Sequence, residues 1–335
     1  MPYEVQFAYG IGRIRVIEKQ LIDKAKLERM VESKTIEEAL KVLYEAGYNS
    51  VEADNNVFSY EYERLIKEEQ KNLYNLMKEI TKESEVIDIF LLSNDYHNIK
   101  VLLKSEFLGL ENNDNLLEVT TIPEESLKTI LKERDFNNLP SHMKDAIEEC
   151  IDAFGKTRDP RLIDLILDKT YFMHALELSK NMGILFVEEL LEIIIDITNI
   201  KTFLRIKKLS MSAEFMEQNL IPGGKIDNNI FVTCFGLSLD KFMEYMKGYP
   251  YKDICEKGIE YINTTNSIAM FEKLADDYLI MHVKRFKYKT LGIEPLIGYL
   301  LAKENEFKNI RIVMVGKINN LPINIIKERL RETYV

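Results

Sequence analysis

Gly155-Lys156-Thr157 has the residue types that close a phosphate-binding loop, in which backbone N–H groups cradle the phosphates and the lysine reaches their terminal oxygens. The spacing does not support that chemistry. The loop needs a glycine five residues earlier, where this chain has Cys150, and a strand in front, where Asp145 to Asp152 reads as helix. Gly10-Ile11-Gly12 is a lone pair without a third glycine, and it reads as a turn before a first helix that begins near Arg13. Gly236-Leu-Ser-Leu-Asp240 lacks the last glycine of a nucleophile elbow, which leaves Ser238 as a helix cap. His97, His142, His174 and His282 never stand four apart, as a helical metal pair requires, and read as surface or satisfied histidines. Neighbouring carboxylates such as Asp276-Asp277 and Glu188-Glu189 mark solvated helix faces. No catalytic constellation emerges, and neither a cofactor nor a metal is expected.

The densest cluster of cations is His282-Val-Lys-Arg-Phe-Lys-Tyr-Lys289, a candidate basic patch of Lys284, Arg285, Lys287 and Lys289. At the end of a long helix such cations complement the helix dipole. Interleaved Phe286 and Tyr288 would also suit an acidic partner or anionic headgroups. Arg205-Ile-Lys-Lys208 is a smaller case. With 45 basic and 55 acidic residues the chain carries −10, which argues against nucleic acid as a partner. Cys150, Cys234 and Cys255 lack metal or disulfide spacing and read as buried small hydrophobes. Apolar runs such as Leu190 to Asp196 and Pro295 to Ala302 are far shorter than the roughly 20 residues a bilayer demands. The first residues lack a secretory pattern, so a cytoplasmic address is expected.

The elements that must position these residues read as helix throughout, with spacings of three and four dominating. Thr35 followed by Glu38 forms a capping box. Residues 61–83, 162–182 and 267–289 read as long helices, and 124–135 and 239–246 as short amphipathic ones. Breaks fall at Gly109 to Glu125, at Ile221-Pro-Gly-Gly-Lys225 and at Gly248-Tyr-Pro-Tyr251. The first two divide the chain into segments 1–118, 119–222 and 223–335.

Each segment ends its core in the same signature. Asp95-Tyr-His-Asn-Ile-Lys100, Asp196-Ile-Thr-Asn-Ile-Lys201 and Glu306-Phe-Lys-Asn-Ile-Arg311 all read acid-x-x-Asn-Ile-basic. Chance would supply on the order of 0.1 such matches in a chain of this size. Apolar residues recur at the same offsets around each Asn: Val86, Ile89 and Phe90; Val187, Leu190 and Leu191; Ile297, Leu300 and Leu301. Three related core helices are thus expected. The acid and the Asn, three apart, stand where their side chains can hydrogen-bond, and a structural role is preferred to binding. Lys100, Lys201 and Arg311 occupy equivalent positions and are candidates for one shared contact surface.

The motifs Tyr9-x-x-x-Arg13-x-Arg15, Thr198-Asn-Ile-Lys-Thr-Phe-Leu-Arg205, Asn219-Leu-Ile-Pro-Gly-Gly224 and Glu294 to Lys317, with the closing Ile326 to Val335, resemble the C subunit of prokaryotic V/A-type ATP synthases. That family is the counterpart of the d subunit of eukaryotic V-ATPases. The resemblance covers essentially the whole chain; Gly10-Ile-Gly12, where bulkier or more polar residues are expected, departs from it. It implies an all-α protein of three related helical bundles in a pseudo-threefold, funnel-like arrangement, peripheral on the cytoplasmic face of the membrane. It further implies a non-catalytic rotor subunit that joins central-stalk subunits of the D and F type to the ring of proteolipid subunits. The family motifs do not name the residues that touch the stalk; Lys100, Lys201 and Arg311 are candidate stalk contacts from their equivalent positions in the three copies. The competing readings are a cytosolic helical adaptor and a nucleotide-dependent enzyme, with Gly155-Lys156-Thr157 or an unrecognised carboxylate pair as its site.

Overall fold

The computed structural model describes residues 6–48, 61–82, 85–110 and 115–335. Among them every regular element is helical and no strand occurs. In chain order these are α1 (Ala8–Ile17), α2 (Lys24–Glu32), α3 (Ile36–Glu45), α4 (Glu61–Ile80), α5 (Val86–Leu108), α6 (Glu124–Glu133), α7 (Ser141–Thr157) and α8 (Arg161–Met182). They continue as α9 (Leu185–Lys208), α10 (Ala213–Asn219), α11 (Asn228–Phe235), α12 (Leu239–Met246), α13 (Lys252–Thr265), α14 (Ala269–Lys284), α15 (Glu294–Ile318) and α16 (Ile323–Arg329). No helix among the described residues is long and apolar enough to cross a membrane.

The chain forms two compact units. One comprises Met1–Glu83 with Asp253–Val335, the other Ser84–Lys252. In the discontinuous unit α15 is the central helix, packed by α4, α14, α1 and α3. In the continuous unit α8 lies between α5, α7 and α9. The residues before Glu83 thus share a compact unit with those after Asp253.

The three expected core helices are α5, α9 and α15. Their burial exceeds a single stripe. Pro295, Leu296, Ile297, Gly298, Tyr299 and Leu300 are all buried in succession along α15, as befits a helix surrounded by others. By contrast α4 buries one face, Tyr62, Leu65, Ile66, Leu73, Met77 and Ile80, and leaves the other to its charges. Local signals place the ends. Thr35 Oγ1 accepts from Glu38 N at 3.2 Å, while Glu38 Oε2 reaches back to Lys34 N at 2.7 Å. Asp23, Ser212, Asp227 and Ser238 cap α2, α10, α11 and α12 by accepting a first-turn N–H with their side chains.

Two expectations need correction. Gly10 and Gly12 lie inside α1, which starts at Ala8, not in a turn before it. A Cβ on Gly10 would stand 2.8 Å from the Ile80 carbonyl oxygen, so glycine permits the close crossing of α1 over the end of α4. The helix expected to run to Lys289 stops at Lys284, where i→i−3 bonds from Phe286, Lys287 and Lys289 tighten the chain into turns. Glu83 and residues 111–114 of the Asn-rich break lie outside the described residues.

Candidate functional site

The repeated acid and Asn are buried in all three copies: Asp95, Asn98, Asp196 and Asn199 show no exposure, and Glu306 and Asn309 are 5% and 3% exposed. The expected acid–Asn hydrogen bond is not what these side chains make. Each Asn instead clamps one non-helical residue downstream: Leu117 beyond α5, Ile221 just beyond α10 and Arg331 just beyond α16. Asn98 Nδ2 donates to the Leu117 carbonyl and Asn98 Oδ1 accepts from Leu117 N, both at 2.8 Å. Asn199 does the same to Ile221, both at 2.8 Å, and Asn309 to Arg331, at 3.1 and 2.8 Å. The clamped residue lies 19, 22 and 22 positions downstream. A primary amide carries a donor and an acceptor side by side and so satisfies a backbone N–H and C=O together, as a neighbouring strand would.

The acids hold backbone N–H groups. Asp95 Oδ1 accepts from Thr121 N and Ile122 N at 3.0 Å, and Oδ2 from the Thr121 hydroxyl at 2.7 Å. Asp196 Oδ1 accepts from Ile226 N at 2.9 Å and Oδ2 from the Tyr251 hydroxyl at 2.9 Å. Glu306 Oε2 accepts from Ile22 N, and Oε1 from the Tyr48 hydroxyl and from Lys303 Nζ at 2.8 Å. Burial pushes the Asp95 carboxyl up to about 6 in spite of its N–H donors. It also raises Asp196.

Lys303 is itself buried. Its ammonium meets Glu69 and Glu306 at 2.8 Å and lies over the Tyr48 ring at 4.5 Å. Burial works to lower its pKa, but the two glutamates outweigh it and hold the ammonium above its ordinary value. Sequence reasoning missed Lys303, Tyr48, Tyr251 and Ile22, because nothing in a linear pattern marks a partner contributed by another element.

The three basic positions are engaged within the fold. Lys100 pairs with Asp168 of α8. Arg311 forms a two-pronged pair with Glu63 of α4, Nε–Oε1 at 3.0 Å and Nη2–Oε2 at 3.1 Å. Lys201 is half-buried on α9. The 284–289 stretch receives the C-terminal segment: Lys284 Nζ reaches the Thr333 carbonyl at 3.3 Å and Lys287 Nζ the Tyr334 carbonyl at 3.4 Å. Lys289 pairs with Glu294 at 2.6 Å, and Arg285 is exposed. Arg15 of α1 donates to the Lys287 and Lys289 carbonyls. In the smaller basic stretch Lys207 holds the carbonyls of Phe235 and Leu237 at 2.6 Å, at the C-terminal end of α11.

The motifs considered for chemistry take structural places. Gly155-Lys156-Thr157 forms the last turn of α7, with Lys156 paired to Asp152 at 2.6 Å, so its N–H groups are spent inside the helix. Ser238 caps α12 through Lys241 N. His174 is buried, within 3.2 Å of the Tyr96 hydroxyl and stacked on His142 at 4.8 Å, a pairing of two helices that sequence spacing hid. Burial lowers it to about 4. Among the described residues no cluster of His, Cys, Asp or Glu could hold a metal ion. Cys150, Cys234 and Cys255 are free and buried.

Residues 11–329 match the family described as ATP synthase (C/AC39) subunit. The chain is similar to the C subunit of the V-type sodium ATPase of Enterococcus hirae, 28% identical over 96% of this chain and 97% of that protein. It is also similar to the C subunit of the A-type ATP synthase of Methanocaldococcus jannaschii, 26% identical over 94% of this chain and 84% of that protein, and to that of Haloquadratum walsbyi, 22% identical over 96% of each. With residues 11–329 matched, nearly its whole length, the chain belongs to the ATP synthase (C/AC39) subunit family.

Proposed function

We propose that this chain is a non-catalytic rotor subunit of a prokaryotic V/A-type rotary ATPase or ATP synthase, a socket that couples the central stalk to the ion-translocating ring in the membrane. The observation that carries the reading is its similarity, over 96% of its length, to the C subunit of a V-type sodium ATPase. Its partners are then stalk subunits of the D and F type and the ring of proteolipid subunits. The chain sits on the cytoplasmic face of the membrane, held by protein contacts. The pseudo-threefold, funnel-like arrangement of three related bundles, drawn from segments 1–118, 119–222 and 223–335, is part of the same proposal.

A body that passes torque between two assemblies must be stiff. Buried clamps that fix the segments at Leu117, Ile221 and Arg331 to α5, α9 and α15 supply stiffness of this kind, because each satisfied buried network specifies one geometry. Lys100, Lys201 and Arg311 are proposed as stalk contacts, with the exposed parts of the Lys100–Asp168 and Arg311–Glu63 pairs shared between the partner in the fold and the stalk. Arg285 and its neighbours are proposed as a further basic contact surface. The test is to tag the chain, solubilise source membranes in mild detergent and identify what stays bound through a salt series. Recovery of both ring and stalk subunits is expected. An intact, active ATPase that lacks the chain, with the tagged protein confined to the cytosol, contradicts the reading.

A further inference from the structure

The three acids share one more feature. Each holds the N–H of an isoleucine that stands immediately before the cap of a short helix: Ile122 before Pro123 and α6, Ile226 before Asp227 and α11, Ile22 before Asp23 and α2. These isoleucines open the three repeats. Asp95 in the first copy takes the isoleucine that opens the second, 27 residues downstream, and Asp196 takes the one that opens the third, 30 residues downstream. Glu306, in the last copy, takes the isoleucine that opens the first, 284 residues away.

A second pair of contacts follows the same order. Lys100 on α5 reaches Asp168 on α8, the long helix of the second repeat, and Arg311 on α15 reaches Glu63 on α4, the long helix of the first. The last core helix thus treats the beginning of the chain as its own continuation.

From these contacts we infer that the repeat is cyclic in its connections, with boundaries at Ile22, Ile122 and Ile226, and that the buried Glu306–Lys303–Glu69–Tyr48 network is a latch that replaces the missing covalent link between the third repeat and the first. The physical reason lies in loop closure. At the first two junctions the partner is tethered by a short stretch of chain, and the entropic cost of bringing it in is small. At the third junction no short tether exists, and the contact must hold by itself. There the acid is a glutamate, one methylene longer than Asp95 and Asp196, which reaches Ile22 with one oxygen and Tyr48 and Lys303 with the other. Lys303 draws in Glu69 of α4 and covers the Tyr48 ring. The basic position is likewise an arginine with a two-pronged grip, where the first copy has a lysine. This inference does not depend on the rotor reading, since it concerns the isolated chain.

Hydrogen exchange on the full-length chain tests it, read on peptides covering 20–30, 122–130 and 226–234. Glu306→Ala, and the double variant Glu306→Ala/Lys303→Met that leaves no stranded cation, are expected to speed exchange at 20–30 by more than tenfold with 226–234 unchanged. Asp95→Ala should speed 122–130 by only a few fold. A circular permutant exchanges the roles. Lys287 touches Tyr334 and its carbonyl accepts from Arg15, so α1 and the C-terminal residues approach one segment. A Gly/Ser linker of about 15 residues, spanning roughly 20 Å, can join them. Opened between Thr121 and Ile122, the permutant is expected to fold and to show the large effect for Asp95→Ala and the small one for Glu306→Ala. Unchanged exchange at 20–30, equal acceleration of all three peptides, a permutant that does not fold, or one that keeps the original ranking would each overturn the inference.

Discussion

The carboxylate of Asp196 occupies the space that a side chain on Gly224 would need: an ideal Cβ there would stand 2.2 Å from Asp196 Oδ1 and 3.2 Å from Ile195 Cγ2. The Pro-Gly-Gly-Lys loop is therefore shaped around a buried acid, with Ile221 clamped by Asn199 on one side and Ile226 held by Asp196 on the other. Gly224→Ala should destabilise the protein by about 2 kcal/mol or more, through displacement of the carboxylate from its donors. Gly155→Ala serves as the contrast. It sits within α7 with nothing inside 4 Å of an added Cβ, and helix propensity predicts a gain of roughly 0.5–1 kcal/mol. Urea denaturation of both variants checks the pair; equal effects would contradict the roles given to both glycines.

Asn199→Asp isolates the clamp. The new carboxylate still accepts from Ile221 N but faces the Ile221 carbonyl without a donor. A loss of roughly 2–4 kcal/mol is expected at neutral pH, partly recovered in acid when the side chain regains a proton. Asn98→Asp should behave alike at Leu117. A melting temperature within a degree of the parent would show that the clamp carries no weight.

How much of this was legible in the sequence follows from the kind of interaction involved. Helices, caps at Thr35 and Ser238, and the three core helices all depend on neighbours three or four residues away, and the pattern displays them. The recurrence of acid and Asn was equally visible. Their partners were not. Leu117, Ile221 and Arg331 contribute backbone groups, which every residue possesses, so no residue type betrays them. Ile22 and Tyr48 come from the opposite end of the chain. The Pro-Gly-Gly motif was readable as a break, but its reason, the Asp196 carboxylate against Gly224, needs three dimensions. Gly10 misled for the same reason: its cause is the Ile80 carbonyl across a helix crossing.

Two buried groups in the Ser84–Lys252 unit should leave opposite marks on the pH dependence of stability. The Asp95 carboxyl, raised from 3.8 to about 6, binds protons more tightly in the folded state, so its contribution is full below 3.8 and is lost as pH rises through about 6. His174, lowered from 6.5 to about 4, contributes fully above 6.5 and loses that contribution as pH falls through about 4. Each shift corresponds to roughly 3 kcal/mol, and between pH 4 and 6 they offset one another. Relative to the parent, Asp95→Asn should become less stable as the pH is lowered across this window, and His174→Gln less stable as it is raised. The readout is the difference in slope of unfolding free energy between variant and parent; identical slopes would refute the assignment.

Charge reversal at Lys100, Lys201 and Arg311 separates a stalk contact from a purely internal role. As half-exposed pairs, Lys100–Asp168 and Arg311–Glu63 contribute about 0.2–1 kcal/mol each, so the triple variant should keep its helicity. Weaker stalk binding is expected, by about tenfold. Adding Asp168→Lys and Glu63→Arg restores the internal pairs. Binding that stays weak supports direct contact, and binding that recovers assigns these residues to the fold alone.

Mechanical coupling is the property on which the proposed function rests, and reconstituted vesicles read it out. The complex is assembled with and without this chain, and ATP hydrolysis and ion-gradient formation are measured together. Without the chain, hydrolysis should continue while the gradient fails to form, and adding the purified chain should restore the gradient. A gradient that forms at full rate in its absence would contradict a coupling role.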